Sequence, residues 1–195
     1  MIISRRALAH GSGVSTFRRM SDLTTDQFRE LLRLMAAEGP IAWFITWTVY
    51  GCHLQGAITG WRKIGKGERP AQPLLEQWHR ERLNHEVLTL NAEQRLAVEV
   101  EIKRHCDFRG WTLWAVSARS THVHAVVTAT NVSGKTIRDQ LKANCTRGLR
   151  EKWKTFQERP VWTVGGDRSP LNDQDSLSRV VDYVTVAQER KGREE

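Results

Sequence analysis

Two runs of strand-forming residues, 111–118 (WTLWAVSA) and 122–129 (HVHAVVTA), are separated only by Arg119-Ser120-Thr121. So short a link joins them as an antiparallel hairpin. A long helical segment flanks the hairpin on each side. Upstream, residues 91–108 begin with Asn91 as cap and end at Gly110, with Leu96, Val100 and Cys106 on the expected apolar side. Downstream, residues 133–153 start at Ser133 and repeat Ile137, Leu141, Cys145 and Leu149 at four-residue steps.

The aromatic and β-branched stretch 42–50 (AWFITWTVY) supplies a first strand, 161–164 a last one, and 173–190 a closing helix. Residues 74–88 form a further helix in the crossover. Leaving out that crossover helix and the closing one, the order is β-α-β-β-α-β. This predicts an α+β, ferredoxin-like antiparallel sheet with helices on one face and an extra C-terminal helix. The other face is expected to stay open.

Residues 1–40 read as an N-terminal extension, partly disordered, with a short helix over 24–37 ended by Gly39-Pro40; the folded domain spans 41–195. The first 20 residues hold arginines but no acid, and Met20 is an alternative start. Little amphipathic spacing argues against an organellar leader. No apolar run approaches the roughly 20 residues of a membrane span, so no membrane partner is expected. Cys52, Cys106 and Cys145 are odd in number and far apart, which fits a reducing compartment rather than a disulfide framework.

On a strand, side chains two apart share a face. His122 and His124 therefore point the same way, with Val123, Ala125 and Val127 turned to the packed side. Two imidazoles on one strand make a rigid half-site for a metal ion. Arg119, Ser120 and Thr121 just before them form a polar, phosphate-friendly mouth. A histidine-triad nucleotide hydrolase is excluded, because position 126 is valine.

Of two tyrosines, Tyr50 follows Trp47 on the first strand and reads as structural, whereas Tyr183 sits on the late helix. A phenol of ordinary pKa near 10 attacks phosphate only when it is oriented and the electrophile is polarised.

The net charge of +8 favours a polyanion, and nucleic acid is the natural one. Lys135, Arg138 and Lys142 fall nearly on one side of the 133–153 helix, with Arg147 further round. They are expected to track phosphates. Trp61 beside Arg62 and Lys63 combines an aromatic plane with charge in a glycine-rich loop, which suits an unpaired strand.

Together these residues resemble the HUH endonucleases, in particular the REP-associated branch of single-tyrosine transposases. The likeness runs over about residues 41–190, through ITWTVYG, SARSTHVHAVV, LKANCTRGLRE and DYVTVAQ. The resemblance implies a DNA transposase, an enzyme that nicks single-stranded or hairpin DNA and transfers the strand. It further implies a homodimer in the bacterial cytoplasm, nucleoid-associated when bound. His122 and His124 would hold Mg²⁺ or Mn²⁺, and Tyr183 would form a 5′-phosphotyrosine without a nucleotide cofactor.

The family's further ligand stands four residues after the tyrosine. Here that residue is Ala187, and the glutamine comes next, at Gln188. One residue on a regular helix is a turn of about 100°. Either the helix is distorted and Gln188 is the ligand, or it is not a ligand. In the latter case the chain is a hairpin-DNA-binding protein without chemistry. A hydrolytic phosphodiesterase, in which water replaces Tyr183, is a third reading.

Overall fold

The computed structural model describes residues 39–58, 60–63 and 67–187. The helix expected over 24–37 and Gln188 lie outside them. Its central sheet has four strands: β1 (Ala42–Thr48), β4 (Thr112–Ala118), β5 (His122–Thr128) and β6 (Asp167–Leu171). They lie in the order β4-β5-β1-β6, and every neighbouring pair is antiparallel. With the hairpin β4–β5 and two helical crossovers this is the expected split β-α-β topology. The first crossover also carries a small hairpin, β2 (Trp61–Lys63) with β3 (Gly67–Arg69), and helix α1 (Pro73–Arg80).

Helices α2 (Ala92–Arg109) and α3 (Gly134–Lys152) cover one sheet face. Their starts follow from their caps. Asn91 and Gln94 form a reciprocal capping box, and the Ser133 hydroxyl accepts from the Thr136 amide. Ile45, Trp47, Val123, Ala125 and Val127 from the sheet meet Val98, Ile102, Ile137 and Leu141 in the main core. The α2 stripe is not the expected one. Leu96 and Val100 are 62% and 56% exposed, and Val98, Ile102 and His105 turn inward instead. Apolar residues occur on two sides of this helix, and the sheet takes the side that Cys106 shares.

Three other boundaries move. Residues 161–164 make only an isolated bridge, Val49 to Trp162, while the fourth strand is Asp167–Leu171. That strand carries charge, serine and proline rather than β-branched residues, because it is a sheet edge where proline costs no ladder bond. Helix α1 stops at Arg80 and buries nothing; beyond it the chain extends so that Leu88 and Leu90 enter the core. The closing helix is α4 (Gln174–Asp182), followed by a π turn over Tyr183–Ala187. Leu177 and Val184 bury Ala115, Val126 and Leu171, so the second sheet face is half covered rather than open.

Gly134 marks a tight contact. A Cβ placed there would lie 2.5 Å from the Trp43 ring. Gly134→Ala is expected to lower stability by about 1–3 kcal/mol through overpacking, read as a lower urea midpoint at unchanged slope.

Candidate active site

His122 and His124 stand on the sheet face that α2 and α3 leave uncovered, with ring centroids 4.7 Å apart and planes at 76°. Each is held at Nδ1 by a threonine hydroxyl: Thr121 Oγ1 lies 3.0 Å from His122, and Thr46 Oγ1 lies 3.0 Å from His124. When Nδ1 carries the proton and donates to threonine, the Nε2 lone pair is left for a ligand. A partner that fixes the far ring nitrogen in this way orients a metal-binding histidine. His124 is only 6% exposed. Burial, then the neighbouring His122 and Arg119, hold its pKa down to about 4, so the ring is neutral at neutral pH.

Tyr183 comes to the same place from the far end of the chain. Its ring lies 5.8 Å from that of His124 at 74° and 6.3 Å from Phe44 at 87°, while Phe44 stacks on His124 at 5.6 Å and 20°. Val184, buried in the smaller core, anchors the π turn and so fixes the phenol. Together with Thr46, Thr48, His53, Gly166 and Asp167, the two histidines and Tyr183 line a cavity of about 540 Å³. A pair of imidazoles, hydroxyls and a phenol around one cavity can receive an anionic ester beside a bound cation.

The cations named from sequence are placed differently. Arg119 follows β4, donates its amide to the His122 carbonyl at 2.7 Å, and lines a separate cavity of about 390 Å³ with Arg95 and Glu99. Lys135 is exposed and pairs with Asp139 at 3.0 Å. Arg138 is only 7% exposed; it donates to the Gly166 carbonyl at 2.8 Å and to Asp139. Lys142 donates to the carbonyls of Thr163 and Gly165, both at 2.7 Å, and burial and then Arg138 lower its pKa to about 8.

Arg138 and Lys142 thus hold the turn before β6 rather than presenting themselves to solvent. Arg147 is exposed, bonded to Asn144 at 2.6 Å and near Glu101 at 3.8 Å. Trp61 donates to the Pro70 carbonyl at 3.1 Å, and Arg62 and Lys63 follow it in β2.

Sequence reasoning missed Thr46, Phe44, His53 and Asp167. The alternation of β1 carries a signal for the first two: if β1 pairs with β5, Phe44, Thr46 and Thr48 fall on the histidine face. Asp167 was hidden by the misplaced last strand, and nothing marks His53 in its loop.

The chain matches no family model and no curated protein. Among solved structures it is similar to a REP-associated tyrosine transposase bound to a REP hairpin. That likeness has a TM-score of 0.45 and 12% identity, and covers 80% of this chain and 70% of that one. It is also similar to a protein of Deinococcus radiodurans R1 assigned as a transposase, at a TM-score of 0.38 and 11% identity, covering 74% of this chain and 88% of the other.

Proposed function

We propose that this chain is a metal-dependent enzyme that nicks single-stranded or hairpin DNA and transfers the strand through a 5′-phosphotyrosine. One observation carries the reading: Tyr183 and the histidine pair, far apart in sequence, share one cavity, with the tyrosine ring against His124. The donor chemistry fits a divalent cation. Two imidazoles with both rings fixed at Nδ1 would hold Mn²⁺ or Mg²⁺ through Nε2. Such an ion, when bound, polarises a phosphate and offsets its charge.

The residues then divide the work. The Phe44 and His124 rings orient the phenol, and the cavity receives the phosphodiester. The bond from Tyr183 Oη to phosphorus forms as the bond to the 3′-oxygen breaks; that oxygen leaves with the electron pair and takes a proton, and the phenolic proton goes to water. A second 3′-hydroxyl reverses the step, so the ester bond energy is kept and no nucleotide is consumed.

The π turn bears on Gln188. In an α-helix the residue four on shares the side of Tyr183, whereas a π turn registers with the residue five on. On that register we propose Gln188, which lies outside the described residues, as the third ligand.

The test is an incubation of the full chain with 5′- and 3′-labelled hairpin DNA from the gene's own flanks and Mn²⁺. A protein–DNA adduct that survives denaturation and needs the metal is expected. Tight binding without any adduct would establish a hairpin-binding protein instead, and metal-dependent cleavage without an adduct would establish a hydrolase.

A further inference from the structure

The cavity beside the histidines contains an acid to which no role has been given. Strand register places it: Asp167 pairs with Thr46 across β6–β1, and Thr46 pairs with His124 across β1–β5. Directly paired residues in an antiparallel sheet share a face, so Asp167, Thr46 and His124 form one row. Two strand spacings, about 10 Å, separate the outer backbones of that row. Among the described residues lining the cavity, Asp167 is the one carboxylate.

Its position is built, not incidental to a sheet edge. The residue before it, Gly166, has φ of 129° and packs so closely that a Cβ would lie 2.7 Å from the Thr46 carbonyl oxygen. Arg138 clamps the Gly166 carbonyl, and Lys142 clamps those of Thr163 and Gly165. Two cations of α3 are thus committed to fixing the turn that delivers Asp167 to the row.

A hard divalent ion prefers oxygen donors and keeps part of its water shell, and two imidazoles alone supply neither oxygen nor negative charge. Among the described residues no three side chains of the histidine, cysteine and carboxylate types already converge on one point. Across two strand spacings, an acid at Asp167 would reach an ion on the histidines through water rather than directly.

We propose that Asp167 is a further arm of this site, accepting hydrogen bonds from the waters of a divalent cation carried by His122 and His124. The inference rests on the histidine pair being a cation site. A bare edge-strand charge, which only discourages strand pairing, is the competing account.

The experiment is Mn²⁺ titration of the full chain without DNA, following the free-ion electron paramagnetic resonance signal. Wild type, Asp167→Asn, Asp167→Glu and His124→Gln are compared, with thermal melts confirming that each is folded. Asp167→Asn is expected to weaken Mn²⁺ about tenfold, as loss of outer-shell partners does, with Asp167→Glu recovering most of the affinity. Equal affinity of wild type and Asp167→Asn, with His124→Gln impaired, would overturn the role of Asp167 and leave the histidine site standing. A wild type that binds no Mn²⁺, or binds it as His124→Gln does, would overturn both. In a separate gel shift with the hairpin DNA, tighter binding by Asp167→Asn at unchanged Mn²⁺ affinity would assign the acid to phosphate repulsion and also overturn the proposal.

Discussion

Tyr183→Phe is expected to abolish the covalent adduct with hairpin DNA, a loss of roughly a thousandfold or more, while leaving fold and DNA affinity in place. The size follows from what is removed. Phenylalanine keeps the ring, and it is the ring that meets Phe44 and His124 edge-on. The hydroxyl alone is lost. Tyr183 is 38% exposed and no bond from its oxygen holds the cavity wall together among the described contacts, so the substitution leaves little structural debt. Denaturing gels of labelled DNA read the adduct, and gel shift reads affinity. Residual adduct at more than a few per cent of wild type would move the nucleophile elsewhere, with Tyr50 as the other phenol. Tyr50 accepts a bond from the Asn84 amide at 3.1 Å and stacks edge-on against His85, away from the histidine pair, and it serves as the negative control.

Much of this was legible in the chain because it rests on short-range rules. The link Arg119-Ser120-Thr121 forces the hairpin, strand alternation puts His122 and His124 on one face, and Asn91 and Ser133 start their helices as capping chemistry requires. What failed depends on partners distant in sequence. Val161 and Trp162 look like a strand because they are apolar, yet they are apolar in order to plug the core. Asp167–Leu171 looks like a loop, yet β1 lends it strand geometry at the sheet edge. Helix α2 offered two apolar sides, and only the sheet decides between them.

The cations of α3 illustrate the same limit within the site. Their helical spacing is that of a solvated stripe, but Arg138 and Lys142 are spent on carbonyls of a turn that no local pattern connects to them. The π turn is the reverse case. A glutamine one place beyond the expected ligand position leaves room for an irregular helix, and an irregular turn begins at Tyr183.

His124→Gln is expected to remove metal-dependent adduct formation and, in metal-free protein, to make the fold less sensitive to acid. Glutamine keeps a polar partner for Thr46 but supplies no imidazole lone pair. The acid effect comes from burial. His124 takes up a proton at about 4 in the folded chain and at its ordinary 6.5 once unfolded. The unfolded state therefore binds the proton first. Stability is full above pH 6.5, begins to fall as pH drops through that value, and has lost its whole share below about pH 4. The separation corresponds to about 3 kcal/mol.

Urea midpoints of wild type and variant at pH 7, 5 and 4 isolate this share, because the carboxylates titrate alike in both. Wild type should lose about 3 kcal/mol more than His124→Gln between pH 7 and 4. Parallel losses would mean that the ring is not held neutral inside the fold. The expected divergence has a functional sense: the burial that makes the protein acid-sensitive is what keeps an unprotonated nitrogen beside Tyr183 at neutral pH. A surface histidine would spare the fold that loss, but near its ordinary pKa a share of it would carry a proton on the nitrogen that the proposed cation needs.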